Sequence, residues 1–316
     1  MAYGSIGRDP VTPTATDAAA AVPLDDSSGG EVQVAVSPWR RAVGVFIQNK
    51  LAVIGLAVII ALVLFCFVGP LFYHTDQVHT NLMNANLPPG NGHPLGTDPT
   101  GYDELGRLMY GGQASLEVGI AAAVLATIVG TLYGAISGYI GGAVDAVMMR
   151  MVDGLLAIPS LFILLVLSVI FHPSTGIMIL IIAFFSWLGA SRLVRGEALS
   201  LRVREYVQAV KVMGGGGGRA VVRHVAPNAI GTVVVFATFT VADSIITLSV
   251  LGYLGLGIQP PQTDWGAMLS TATTYMNSGY WWLIYPPGLA IVLVAIAFNF
   301  LGDALRDAFD SRLRAR

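Results

Sequence analysis

EALSLRVREYVQAVKVMGGGGGRAVVRHVAPNAI, residues 197–230, is a polar and basic passage set between hydrophobic segments long enough to cross a bilayer. Seven of the seventeen Lys and Arg residues of the 316-residue chain lie between Arg192 and Arg223. That density between apolar runs marks a loop on the cytoplasmic side of a membrane. Working outward, 54% of the chain is hydrophobic and only 11% is charged. Soluble domains carry about a quarter charged residues, so the composition belongs to a polytopic membrane protein. The single cysteine, Cys66, excludes an intrachain disulfide and reads as inert packing in an apolar run.

A spanning helix needs about 20 mostly apolar residues, and six such runs are legible. They cover residues 43–70, 114–140, 146–171, 175–191, 230–256 and 281–302, the fourth being short. With six crossings, Arg40, Arg41, Lys50, Arg150, the 192–223 cluster and the Arg306–Arg316 tail fall on one side. Only Arg107 falls in an opposite loop, so 16 of 17 basic residues agree and both termini are predicted cytoplasmic. Residues 1–37 lack the apolar residues that offset ordering entropy; they are predicted to be a disordered cytoplasmic tail without a cleavable signal. The expected organisation is then a first transmembrane helix at 38–72, an extracytoplasmic segment at 73–113, a core of spans two to six at 114–303, and a cytoplasmic tail at 304–316. A second external segment, about 258–280, ends in Tyr280, Trp281 and Trp282, which suit a membrane interface.

Within the basic passage, Leu201, Tyr206, Ala209, Val210 and Met213 recur at helical spacing, with Arg202, Arg204, Glu205, Gln208 and Lys211 between them. Gly214–Gly218 breaks this helix, and a second short one runs from Arg219 toward Pro227. Such a unit is suited to transmit force from a docked partner into the flanking spans. A solvated amphipathic loop on anionic headgroups is the plainer alternative.

The passage resembles the EAA loop of ABC importer permeases, a Glu-Ala-Ala, Gly, Pro pattern met here by Gln208-Ala209-Val210, Gly214 and Pro227. RHVAPNA (223–229), HPLGTDPTGYDELGRLMYG (93–111), LAIPSL (156–161), LGLGIQPP (254–261) and DWGAML (264–269) are similar to segments of the di- and oligopeptide permeases. Their order and spacing cover nearly everything after the tail. The resemblance implies an all-α membrane protein with six transmembrane helices of the type I importer kind and a cytoplasmic coupling helix. It also implies a homologous second permease, two cytoplasmic ATPase subunits that bind ATP and Mg, and an extracytoplasmic solute-binding protein. The implied cargo is di- or oligopeptides, with nickel or other small solutes in some relatives. The implied location is the bacterial plasma membrane. By the same resemblance, Tyr206, Val207, Gln208, Ala209, Met213, Gly214 and Pro227 are the candidate ATPase-coupling residues. Four features depart from the family pattern: Gln208 for an acid, Tyr102 for Arg, Gly106 for Ser, and Leu248 where an acid is common.

Enzyme readings find little support. A phosphate-binding Walker A loop needs Gly-Lys before Ser or Thr, and Asn49-Lys50 and Val210-Lys211 do not supply it. His74, His79, His93, His172 and His224 show no metal-ligand spacing, so no cofactor is expected on this chain. A membrane protease would need a Ser–His pair or an Asp dyad; Asp145 and Asp153 lie beside Arg150 and read more simply as an ion-pair cluster or a gate near the membrane surface. Glu117 and Asp243 fall inside predicted spans and are candidates for a translocation path or for a bond to a neighbouring helix. They also motivate the alternative of a proton-coupled secondary transporter, although no inverted repeat of interrupted spans is visible. A non-transporting scaffold is a third reading, supported only by the long tail.

Overall fold

The computed structural model describes residues 44, 46–90, 92–171, 173–205 and 229–309. The 1–37 tail and all seven candidate coupling residues, Tyr206 to Pro227, lie outside them. The described chain is almost wholly helical. α1 is Lys50–Phe67 and α2 Gly69–Phe72; α3 is Glu104–Ile140, α4 Gly142–Leu156 and α5 Ser160–Phe171. They are followed by α6 at Thr175–Leu201, α7 at Ile230–Tyr253, α8 at Trp265–Thr273 and α9 at Trp281–Phe309. Among the described residues five helical segments are long and apolar enough to cross a membrane; a sixth crossing forms if α4 and α5 are one bent span.

Local sequence explains where these helices begin. Asn49 accepts hydrogen bonds from the N–H groups of Leu51 and Ala52 at the start of α1. Asp103 caps α3 through Gly106 N–H, and Asp264 caps α8 through Ala267 N–H. Each side-chain oxygen satisfies an amide that has no partner inside its own helix.

Three helix limits differ from the apolar runs. Asp103 starts α3 at Glu104, ten residues before the expected second span, because a cap rather than hydropathy sets the first turn. α6 continues from the expected end at 191 to Leu201, the expected start of the coupling helix; Glu205 is helical again, and the rest of that expected helix lies outside the described residues. The expected continuous third span, 146–171, is a correction: α4 and α5 meet at 78° across Ala157-Ile158-Pro159. Pro159 lacks an N–H, and its ring disfavours helical geometry at Ile158.

Small residues bring the crossings together. Gly130, Gly134 and Gly138 recur every fourth residue on α3 and face α6. A β-carbon on Gly138 would lie 2.7 Å from both Arg195 O and Ala198 Cβ; one on Gly130 or Gly134 would collide with Ala190 or with Ser191 O. This is small-residue packing of membrane helices, in which backbones approach closely. Gly119 similarly seats Ile245 of α7, and Gly302 of α9 seats Phe239. The alternation of crossings gathers the segments 73–103 and 254–280 at one end. The other end carries the close of α6 and the start of α7, from which the 206–228 segment departs.

Candidate coupling and translocation site

The last turns of α6 form a charged hub at the end where that segment departs. Asp145, in the first turn of α4, accepts from Arg195 Nε at 2.5 Å and Nη2 at 2.6 Å. Ser137 Oγ of α3 donates to the same carboxylate at 2.5 Å. Asp153 accepts from Arg192 Nη2 at 2.5 Å, with both side chains about half exposed. Glu197 accepts from Thr232 Oγ1 of α7 at 3.2 Å, and Arg202 reaches Gly138 O at 3.4 Å. The expected ion-pair cluster at Asp145 and Asp153 is present, but Arg150 is not its cation; Arg150 is exposed, and the partners come from α6, 39 and 50 residues further along the chain.

The opposite end is built from buried polar groups. Asp98 Oδ1 accepts from the N–H groups of Thr100 and Tyr102 and from Thr100 Oγ1 at 2.7–2.9 Å. Asp103 caps α3 with one oxygen; the other meets His93 Nδ1 and Tyr73 OH at 2.8 Å. Burial and the Asp103 carboxylate both raise the Tyr73 phenol above its ordinary pKa, which keeps it a donor. Trp265 is fully buried; its indole N–H donates to Leu108 O at 3.0 Å, and its backbone N–H to Ser115 Oγ. Asp264 is also fully buried and accepts from Ile258 and Ala267 N–H. Burial pushes its carboxyl up to about 6 against the opposing pull of those amides. The HPLGTD and DWGAML segments are therefore structural keystones. The sequence marked Trp265 only as part of the DWGAML resemblance; its burial and its bond to Leu108 O were not legible there.

Three of the departures from the family pattern acquire physical accounts. Tyr102 is buried, donates to Val78 O at 3.0 Å, and lies beneath the Arg107 guanidinium, 4.3 Å from its ring centroid. A β-carbon on Gly106 would collide with the Thr75 and Gln77 side chains, so a serine would have to displace both. Leu248 is fully buried in an apolar cluster with Met178, Ile182 and Leu251, where an acid would lack a partner.

Glu117 and Asp243 are both exposed, and the structure does not bring them together. α3 crosses α7 where Gly119 meets Ile245 and Val241 O. Glu117 is two residues from Gly119, and Asp243 two from each contact on α7. At about 100° per residue both carboxylates turn away from the crossing. Glu117 lines a cleft of about 350 Å³ with Asp76, Arg107, Gln113 and Gln262, near the buried-polar end. Among the described residues no group of three or more His, Cys, Asp or Glu side chains is arranged to hold a metal.

Apolar crossing helices, a bent α4–α5 pair and a charged exit toward 206–228 define a multi-pass, all-helical membrane protein. The family described as binding-protein-dependent transport system inner membrane component matches residues 130–315, and the N-terminal transmembrane domain of oligopeptide transport permease C matches residues 37–89. The oligopeptide transport system permease protein OppC of Escherichia coli K12 is 40% identical over 280 residues, 88% of this chain and 92% of that protein. OppC of Salmonella typhimurium LT2 is 41% identical over 283 residues, and the dipeptide transport system permease protein DppC of Bacillus subtilis 168 is 38% identical over 276. These alignments cover 88% and 87% of this chain, and 92% and 85% of the two relatives. The chain belongs to the binding-protein-dependent transport permease family.

Proposed function

We propose that this chain is one permease subunit of an ATP-driven importer of di- or oligopeptides, forming half of the translocation path. The carrying observation is the near full-length similarity, about 40% identity, to permeases named for oligopeptide and dipeptide transport. In this reading it sits in a bacterial plasma membrane with both termini cytoplasmic. It pairs with a homologous permease and receives peptide from an extracytoplasmic binding protein. The chain performs no bond chemistry; two partner ATPases bind ATP and Mg and hydrolyse the nucleotide.

Coupling runs through the 201–214 helix. Tyr206, Val207, Gln208, Ala209, Met213 and Gly214 make the ATPase contact, and Pro227 returns the chain to α7. Gln208 offers a neutral hydrogen bond where an acid would give a charge-assisted one. The contacts differ between the two ATPase states, and that difference biases the permease between conformations. Glu117 and Asp243 remain the candidate path-lining acids, Glu117 at the cleft and Asp243 on the exposed side of α7.

Mild-detergent purification of the tagged chain, with mass spectrometry of its partners, tests this. A second permease and ATPases should co-purify and be lost on substituting Tyr206–Gly214. A chain that purifies alone and moves peptide in proteoliposomes without ATP contradicts it. Gly214→Pro should retain assembly but uncouple hydrolysis from uptake; normal uptake refutes the role of the glycine turn.

A further inference from the structure

α4 is held to the bundle by little. Of its fifteen residues only Asp145, Met149 and Val152 are buried, and of the twelve in α5 only Leu164 and Ser168. Asp145 is the one ionisable anchor among them, and its carboxylate receives three donors from two other helices. The Arg195 fork grips both carboxylate oxygens, which fixes the angle of α4 as well as its distance. Ser137 Oγ adds a third bond from the closing turn of α3. Arg195 lies on the same unbroken helix as Leu201, close to the point where the 206–228 segment begins.

We propose that the Asp145–Arg195–Ser137 junction is the mechanical link that carries displacement of α6 into the bent pair α4–α5, making Asp145 and Arg195 positioning residues for transport. The inference rests on the ATP-driven reading above and goes beyond it by naming the element that moves and the residues that move it.

Two observations distinguish a permanent link from a latch that opens. Asp145 is mostly buried (12% side-chain exposure), so losing Arg195 would strand a carboxylate with little water, whereas the Asp153–Arg192 pair is half exposed and cheap to break. The outer pair can therefore slide while the inner one persists. The 78° bend then converts a shift of α4 into a swing of α5. Glu197–Thr232 ties the start of α7 to α6 near the other end of the same segment, so both flanks respond together.

The test uses the whole complex in proteoliposomes with a labelled dipeptide or oligopeptide, reading peptide moved per ATP hydrolysed. Asp145→Asn and Arg195→Gln should each lower that ratio about tenfold while hydrolysis stays within about twofold, and the exchange Asp145→Arg with Arg195→Asp should recover most of it. Spin labels at Val147→Cys and Gly196→Cys, both on exposed positions, give the α4–α6 separation. Between nucleotide-free and vanadate-trapped states it should hold within about 2 Å in the parent and drift in Asp145→Asn. An unchanged ratio in the single variants, or a parent separation that changes by more than this, overturns the link. Failure of the unsubstituted complex to use ATP at all would instead overturn the importer reading.

Discussion

The two ends of the helical bundle are held by opposite means. At the capped end, formed by residues 73–108 and 254–283, Asp98, Asp103, Asp264 and Trp265 are buried among backbone donors and acceptors. At the loop end, α4 and α6 are joined by an inner pair, Asp145–Arg195, whose carboxylate is mostly buried, and an outer pair, Asp153–Arg192, that is half exposed to water. A buried, satisfied network has one low-energy arrangement, because any shift strands polar groups away from water. Partly exposed charges tolerate displacement, since water can replace a lost partner. The difference teaches which end serves as the anchor and which end can answer a partner.

The sharpest way to break the comparison is Trp265→Ala. Its ring lies against Gly112 and beside Cys66, with no solvent contact, so truncation should cost about 3–5 kcal/mol and markedly lower the apparent Tm in detergent. A change no larger than that of an exposed substitution would mean the capped end is not a packed anchor.

The next effect is a pH dependence. The Asp264 carboxyl lies above its ordinary 3.8, at about 6. Between these values the folded chain keeps a proton the unfolded chain has lost. This contribution to stability is full below about 4 and is lost as pH rises through about 6, a swing on the order of 3 kcal/mol. Tm profiles of the parent and Asp264→Asn should differ in slope across that window and run parallel above it. Identical slopes would remove Asp264 as the source.

Smallest and most specific is Gly106→Ser, which restores the family's residue. It should destabilise by about 1–3 kcal/mol through displacement of Thr75 and Gln77, and Thr75→Ala should recover part of the loss. A neutral Gly106→Ser would show that the 73–103 segment yields more readily than its network implies.

Much of this architecture was legible from the chain. Apolar run length located the crossings, because a bilayer demands about 20 such residues whatever the packing. Helix ends were less legible, because hydropathy reports the lipid boundary and not the hydrogen-bond boundary. Residues 192–201 are polar yet helical, since Gly134 and Gly138 of α3 hold that stretch of α6 close. Pro159 was visible, but a proline inside a span is compatible with either a kink or a full break, and the 78° turn depends on packing. Asp145 was visible as part of a charge cluster, while its true partner stood 50 residues away on a helix whose rotation no local pattern specifies. Glu117 and Asp243 were legible as acids inside spans, but the helix phase that turns each away from the α3–α7 crossing was not.

The most direct measurement of the anchor-and-lever account is amide hydrogen exchange on the assembled transporter, with and without trapped nucleotide. Protection should change in 192–228 and in α4, while 97–108 and 258–268 stay constant. Equal change at both ends, or change confined to the capped end, would contradict it.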